Sequence, residues 1–146
     1  MRQILNILAC LTILLPFVSL GQINSKKVIE NDDCIALFDT LTNLTVFSIV
    51  DRMPEPTEGE QSLYEKIAKI KIMPTIREPL TGIIIVAFIV TTNADLIGKR
   101  VVQNINGTDY ANQILKIIDE VDWTVGYCKE APVPVLYHLP VRIKNE

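Results

Sequence analysis

The strongest indication of the fold is the stretch GIIIVAFIVT, residues 82–91. It is short, almost continuously apolar and dominated by β-branched side chains, which favours a central strand that is buried on both faces of a sheet. The turn Asn93-Ala94-Asp95 follows it, and Leu96 to Gln103 then predicts the returning strand of a hairpin. We expect this hairpin to form the centre of the domain.

Two amphipathic segments flank the hairpin. The first runs from Glu60 to about Lys71, and the second from Tyr110 to about Val121. Each places apolar side chains three and four positions apart, the spacing of a helix with one buried face. They predict two helices, one on each side of the hairpin in the sequence.

Two further strands are predicted at the ends of the domain. Thr45 to Val50 is rich in β-branched and aromatic residues and predicts an edge strand. Val133 to Ile143 alternates cleanly, with Val135, Tyr137 and Leu139 on its core side. The opposite side carries Pro134, His138, Pro140 and Arg142. Prolines in a central strand lose ladder hydrogen bonds, so this strand too is predicted at an edge.

The order strand, helix, hairpin, helix, strand predicts an α+β fold. We expect a small antiparallel sheet with two helices packed on one face. The domain spans residues 45–146, and residues 22–44 form a lead-in segment whose polar first part, Gln22 to Asp33, shows no periodicity.

Residues 1–21 have the pattern of an export signal. A single charge, Arg2, precedes an apolar run that contains Pro16 and is too short for a comfortable membrane span. The run ends in Ser19-Leu20-Gly21, a small-x-small pattern of the kind that signal peptidase cleaves. We expect cleavage after Gly21 and export to the periplasm or cell envelope; the alternative is a signal retained as an anchor.

Two cysteines, Cys34 and Cys128, remain after the signal. An oxidising compartment would allow them to form a disulfide, but the sequence leaves open whether they pair or are two separate buried thiols. No Cys-x-x-Cys spacing is present, which argues against a thioredoxin-type redox site and against a zinc site.

Residues that could perform catalysis are few. His138 is the single histidine, and it falls on the predicted solvent face of a strand. No glycine-rich phosphate loop is present, and a net charge of −3 argues against nucleic-acid binding. The sequence therefore predicts a non-enzymatic protein without a cofactor, a metal or a small-molecule substrate. Binding at a sheet edge is the favoured role, because an extended peptide gains main-chain hydrogen bonds there.

Four segments occur in an order and spacing that resemble one known family. They are Val50–Gly59, which contains Met53-Pro54; Gly82–Val90, which ends in Phe88-Ile89-Val90; Trp123–Gly126; and Val133–Val141, which has the form Val-x-Val-x-Tyr-x-Leu-Pro-Val. Together they resemble the C-terminal domain of TonB-type energy transducers. The resemblance covers roughly the last hundred residues.

This resemblance implies the fold of that domain and a transport-related role. It implies an extended peptide partner from an outer-membrane receptor or another envelope protein. We expect the partner to pair with the terminal strand through Val135, Tyr137, His138, Leu139 and Arg142. The family's retained membrane anchor and Pro-rich linker are missing here, which argues against force transmission. The alternative is a self-associating structural or adaptor protein of the envelope, a homodimer formed through the same edge.

Overall fold

The computed structural model describes residues 30–31, 34–71 and 81–144. The two helices are α1 (Glu60–Ala68) and α2 (Tyr110–Asp119). The strands are β1 (Glu30–Asn31), β2 (Cys34–Asp39), β3 (Leu44–Ile49), β4 (Thr81–Val90), β5 (Leu96–Gln103), β6 (Gly126–Cys128), β7 (Ala131–Val133) and β8 (Val135–Lys144). The predicted hairpin, both helices and both terminal strands are confirmed as elements. The predicted signal and the polar segment 22–29 lie outside the described residues.

Six strands form one sheet in the order β1-β2-β3-β8-β4-β5, and β6 and β7 form a separate two-stranded ribbon. The mixed α+β class is confirmed, but the sheet is larger than expected because β2 lies within the segment predicted as a lead-in. It is also not wholly antiparallel, because β3 and β8 run parallel. No helix in the described ranges has the length and apolarity needed to cross a bilayer.

Both helices contribute to the larger of two buried clusters, on one face of the sheet. Leu63 and Ile67 of α1 and Ile114 and Ile118 of α2 join apolar side chains of β4 and β8 in it. Phe88 of β4, which has no exposed surface, lies at its centre. This arrangement confirms the helical spacing as the signal of a buried face.

Three aromatic rings meet in this cluster. The Phe88 ring centroid is 5.0 Å from that of Trp123, in an edge-to-face arrangement, and 5.4 Å from that of Tyr137, in a stacked one. Trp123 and Tyr137 also meet edge to face, with centroids 5.3 Å apart. The trio joins β4, β8 and the loop after α2, so it ties together parts of the chain that are distant in sequence.

The hairpin of β2 and β3 is part of the same sheet and contributes to the smaller buried cluster, which lies on the other face of β4 and β8. Val46 of β3 is fully buried there against Ala87 and Ile89 of β4 and Leu136 of β8. The turn of this hairpin lies against β5: a Cβ atom added to Gly98, whose φ is +60°, would lie 2.7 Å from Cγ2 of Thr42. The hairpin therefore forms the cover of the second, smaller core.

An ion pair fixes the tip of this hairpin to β5. The carboxylate of Asp39 accepts hydrogen bonds from the backbone N–H and the hydroxyl of Thr42, at 3.0 and 2.8 Å. Nη2 of Arg100 donates to its other oxygen at 2.8 Å. The hydrogen bonds from Thr42, with the Arg100 guanidinium, hold the pKa of Asp39 below its usual value.

This environment predicts an acid-sensitive contact. A carboxyl whose pKa is lower in the folded chain stabilises the fold above its unfolded pKa of about 4, and loses that contribution as the pH falls through the folded pKa. We therefore expect Asp39→Asn to lower the free energy of unfolding at pH 7 and to flatten its decline at acidic pH. Urea unfolding between pH 2 and 7 measures both. Asp95→Asn, at an exposed aspartate, is the matched control and should keep the wild-type slope. An unchanged slope in Asp39→Asn would contradict the assignment.

Candidate functional site

The terminal strand β8 lies inside the sheet, so its predicted edge position is wrong. It has β4 on one side and β3 on the other. The strand β3, also predicted at an edge, is interior because β2 pairs with it. Parallel pairing of β3 with β8 joins residues some ninety positions apart, and nothing in the local pattern of either strand indicates it.

The two neighbours of β8 cover it unequally. Its ladder with β4 is continuous, from Val90 opposite Val135 to Thr81 opposite Lys144. Its ladder with β3 consists of one pair, Phe47 opposite Val135. Among the described residues, the segment His138–Ile143 therefore forms ladder pairs with β4 alone. We call this segment the open half of β8.

The peptide groups of the open half alternate in direction. The carbonyl of Pro134 accepts the N–H of Phe47 at 2.9 Å, so the peptide groups of even-numbered residues here point away from β4. The backbone nitrogen of Pro140, which carries no hydrogen, also points away from β4. The ladder between β8 and β4 therefore loses no hydrogen bond at Pro140. The N–H groups of His138 and Arg142 point the same way. The prolines thus indicated a side of the strand that has no ladder partner within the described ranges, although the strand as a whole is not an edge.

A groove runs between α1 and the end of the open half. It has a volume of about 300 Å³. Its lining combines one face of α1 with the start of α2 and the end of β8: Tyr64, Ile67, Ala68, Ile70, Tyr110, Val141, Arg142, Ile143 and Lys144. We call it the α1–β8 groove. The helical spacing indicates a buried face for α1, but no sequence pattern indicates that part of this face borders a groove.

The predicted partner-binding residues divide between the two faces of the sheet. Val135 and Leu139 are buried in the core, at 0 and 2% exposure, and cannot contact a partner directly. Tyr137 is half-buried in the aromatic trio. The side chains of His138 and Arg142 are exposed, and strand alternation directs them away from the face that the helices cover, while Arg142 also borders the α1–β8 groove. Only these last two remain available as side chains for a partner.

The hydroxyl of Tyr137 lies in an environment that keeps it protonated. Burial, followed by the nearby groups Glu60, Tyr64 and Glu55, raises the pKa of Tyr137 to about 12. Burial also raises the pKa of Tyr110, which lines the groove. Neither phenol is therefore tuned toward proton transfer near neutral pH.

A disulfide joins Cys34 at the start of β2 to Cys128 at the end of β6, with Cα atoms 6.2 Å apart. It ties the β2–β3 hairpin to the β6–β7 ribbon. The carboxylate of Asp51 stands beside it, with Oδ2 3.8 Å from Sγ of Cys34. The sequence left this pairing open, and it gave no signal for Asp51.

The turn of the β6–β7 ribbon is strained. Its residues Lys129 and Glu130 have φ of 49° and 66°, in the left-handed region that favours glycine or asparagine. Two contacts hold it: the Lys129 N–H donates to Oδ2 of Asp51 at 2.6 Å, and the guanidinium of Arg52 stacks 3.9 Å from the Tyr127 ring centroid. The turn and the disulfide thus form one fixed unit around Asp51.

No protein-family model, curated protein or solved structure matches this chain. The likeness to TonB C-terminal domains therefore rests on the order and spacing of the sequence segments alone.

Proposed function

We propose that this chain is an exported, non-enzymatic binding module that takes up an extended peptide by β-strand addition at the open half of β8. The partner is a segment of an outer-membrane receptor or of another envelope protein, as the TonB-like sequence order implies. The observation that carries the proposal is that, in the part of the chain that the structure describes, His138–Ile143 has a ladder partner on one side only, next to the α1–β8 groove.

An added strand would lie on the same side of β8 as β3, beyond Ile49, where β3 ends. The N–H groups of His138 and Arg142 would donate to its carbonyls, and the carbonyls of even-numbered residues would accept from it. Main-chain hydrogen bonds of this kind supply affinity independently of the side chains, and neighbouring pockets supply selectivity. Tyr64, which is 41% exposed, and the α1 residues Ile67 and Ala68 offer such a pocket.

Pro140 gives the site a recognisable signature. It offers a carbonyl but no N–H, so the added strand finds two donors, His138 and Arg142, four residues apart. We expect modest affinity, and we expect it to depend on the amide of His138 more than on its imidazole.

Two substitutions at one position separate these contributions. His138→Pro removes the outward N–H and leaves the β4 ladder intact, as Pro140 does, whereas His138→Ala removes the imidazole and keeps the N–H. For a ten-residue peptide selected on the domain from a random display library, we expect His138→Pro to weaken binding roughly tenfold, the loss of one main-chain hydrogen bond of about 1.4 kcal/mol. His138→Ala should bind nearly as the wild type does. Fluorescence anisotropy with labelled peptide measures both.

Backbone N-methylation of the same peptide provides the control within the ligand. Methylation at alternate positions should abolish binding and at the intervening positions should not, because only alternate N–H groups of an added strand face β8. Circular dichroism of both His138 variants checks that each is folded. Equal affinities for His138→Pro and His138→Ala, or uniform tolerance of N-methylation, would contradict strand addition at this site.

Self-association is a second candidate, favoured by the exposed strand at the other edge of the sheet. The strand β5 is the last in the sheet, and its end carries Val101 and Val102 at 41 and 53% exposure. Its middle is less suited to pairing, since Lys99 and Arg100 are held in ion pairs with Asp119 and Asp39. Sedimentation of the domain at micromolar concentration distinguishes the candidates, because a strict monomer excludes this one.

A further inference from the structure

Three side chains with metal-binding atoms converge next to the β6–β7 turn. The Sγ atoms of Cys34 and Cys128 and a carboxylate oxygen of Asp51 all lie within 4.8 Å of one another. The two cysteines are buried, at 1 and 7% exposure, whereas Asp51 is exposed. The cluster is therefore enclosed by protein around its sulfur atoms and open to solvent on the carboxylate side.

We propose that Cys34, Cys128 and Asp51 form a Zn²⁺ site when the disulfide is reduced. A protein dithiol would deliver two electrons and two protons by thiol–disulfide exchange, becoming a disulfide itself while the S–S bond becomes two thiols. Zn²⁺ then displaces the two thiol protons and forms two Zn–S bonds. Asp51 adds a Zn–O bond, and, since the described residues bring no fourth ligand of these types into the cluster, water completes the tetrahedron.

The distances favour this geometry. With Zn–S near 2.3 Å and Zn–O near 2.0 Å, a tetrahedral site separates sulfur from oxygen by roughly 3.5 Å and its two sulfurs by roughly 3.8 Å. Oδ2 of Asp51 already lies 3.8 Å from Sγ of Cys34. Only the two sulfurs must move apart, which rotation about their side-chain torsions provides.

A hydrogen bond from the neighbouring backbone orients the carboxylate of Asp51. The Lys129 N–H, donating at 2.6 Å, fixes the carboxylate, as outer hydrogen bonds do in metal sites. Two thiolates and a carboxylate leave one net negative charge around a divalent ion, and Arg52 and Lys129 are the cationic neighbours in the chain. The metal would keep β2 tied to β6 after reduction, so the same tether would persist in both redox states.

Cobalt substitution tests the site on the full mature chain. After reduction with a phosphine and removal of oxygen, we expect one equivalent of Co²⁺ to produce thiolate charge-transfer absorption and the visible bands of tetrahedral cobalt, both removed by one equivalent of Zn²⁺. Zn²⁺ should also protect both thiols from iodoacetamide. The oxidised protein should show none of these signals.

Two variants distinguish a built site from two free thiols. Asp51→Asn retains an oxygen acceptor for Lys129 but should weaken Co²⁺ binding roughly tenfold or more, whereas Asp95→Asn, an exposed aspartate elsewhere, should not. Absence of charge-transfer absorption in the reduced wild type would overturn the proposal, as would equal Co²⁺ affinities for Asp51→Asn and Asp95→Asn. Iodoacetamide protection is measured on the wild type alone, so that readout does not depend on any variant folding.

Discussion

We expect Phe88→Ala to lower the free energy of unfolding by about 3–5 kcal/mol. Phe88 has no exposed surface and lies at the centre of the larger core, in contact with the rings of Trp123 and Tyr137. Truncation removes the transfer free energy of the ring and leaves a cavity that a sheet and two helices cannot close. It also removes two aromatic contacts, each worth about 0.5–1.5 kcal/mol beyond the area it buries.

Urea unfolding followed by tryptophan fluorescence measures this loss, since Trp123 is itself a partner of the ring. Ile83→Ala on the same strand is the matched control: its side chain is 39% exposed, so its loss should be much smaller. If Phe88→Ala does not fold, Phe88→Leu provides a milder step in the same direction. A loss of less than about 1 kcal/mol in Phe88→Ala would show that the core is not organised around this ring.

We expect the Cys34→Ala, Cys128→Ala double variant to lower the free energy of unfolding by about 2–5 kcal/mol. The bond joins residues separated by 94 positions, so its loss frees a long loop in the unfolded chain. Its loss also leaves the strained Lys129-Glu130 turn with fewer constraints. The ribbon β6–β7 and the start of β2 should become the first parts to open.

Denaturant unfolding of the oxidised wild type, the reduced wild type without metal and the double variant measures this contribution. The two disulfide-free forms should unfold at similar midpoints, both below that of the oxidised protein. A reducing agent should leave the double variant unchanged, which controls for its effects elsewhere. Coincident midpoints for the oxidised and reduced wild type would show that the disulfide does not stabilise the fold.

The local elements followed from the sequence because each has a local cause. The apolar run 82–91 and the turn after it predicted β4 and β5 closely. Apolar spacing predicted α1 and α2, and overran the end of each by two or three residues, where no strong stop residue marks the end. The alternation in β8 correctly assigned Val135 and Leu139 to the core.

Other elements lacked a strong local signal. The strand β2 lies in a segment that looked like part of a lead-in, and it is stabilised by pairing with β3 and by the disulfide rather than by its own pattern. The three-residue strand β6 was not predicted, because so short a strand carries no period. Both depend on partners elsewhere in the chain.

Local sequence patterns were enough to predict the strands and helices of the central unit, the core side of β8 and its two exposed residues His138 and Arg142. Long-range packing sets the parallel pairing of β3 with β8, which consists of one residue pair, so that the second half of β8 is paired with β4 alone among the described residues and its end borders the α1–β8 groove. It also brought Asp51 to the cysteine pair. The physical reason is common to both: hydrophobic period and turn chemistry act over a few residues, whereas strand neighbours and side-chain clusters join distant residues once the whole chain has packed.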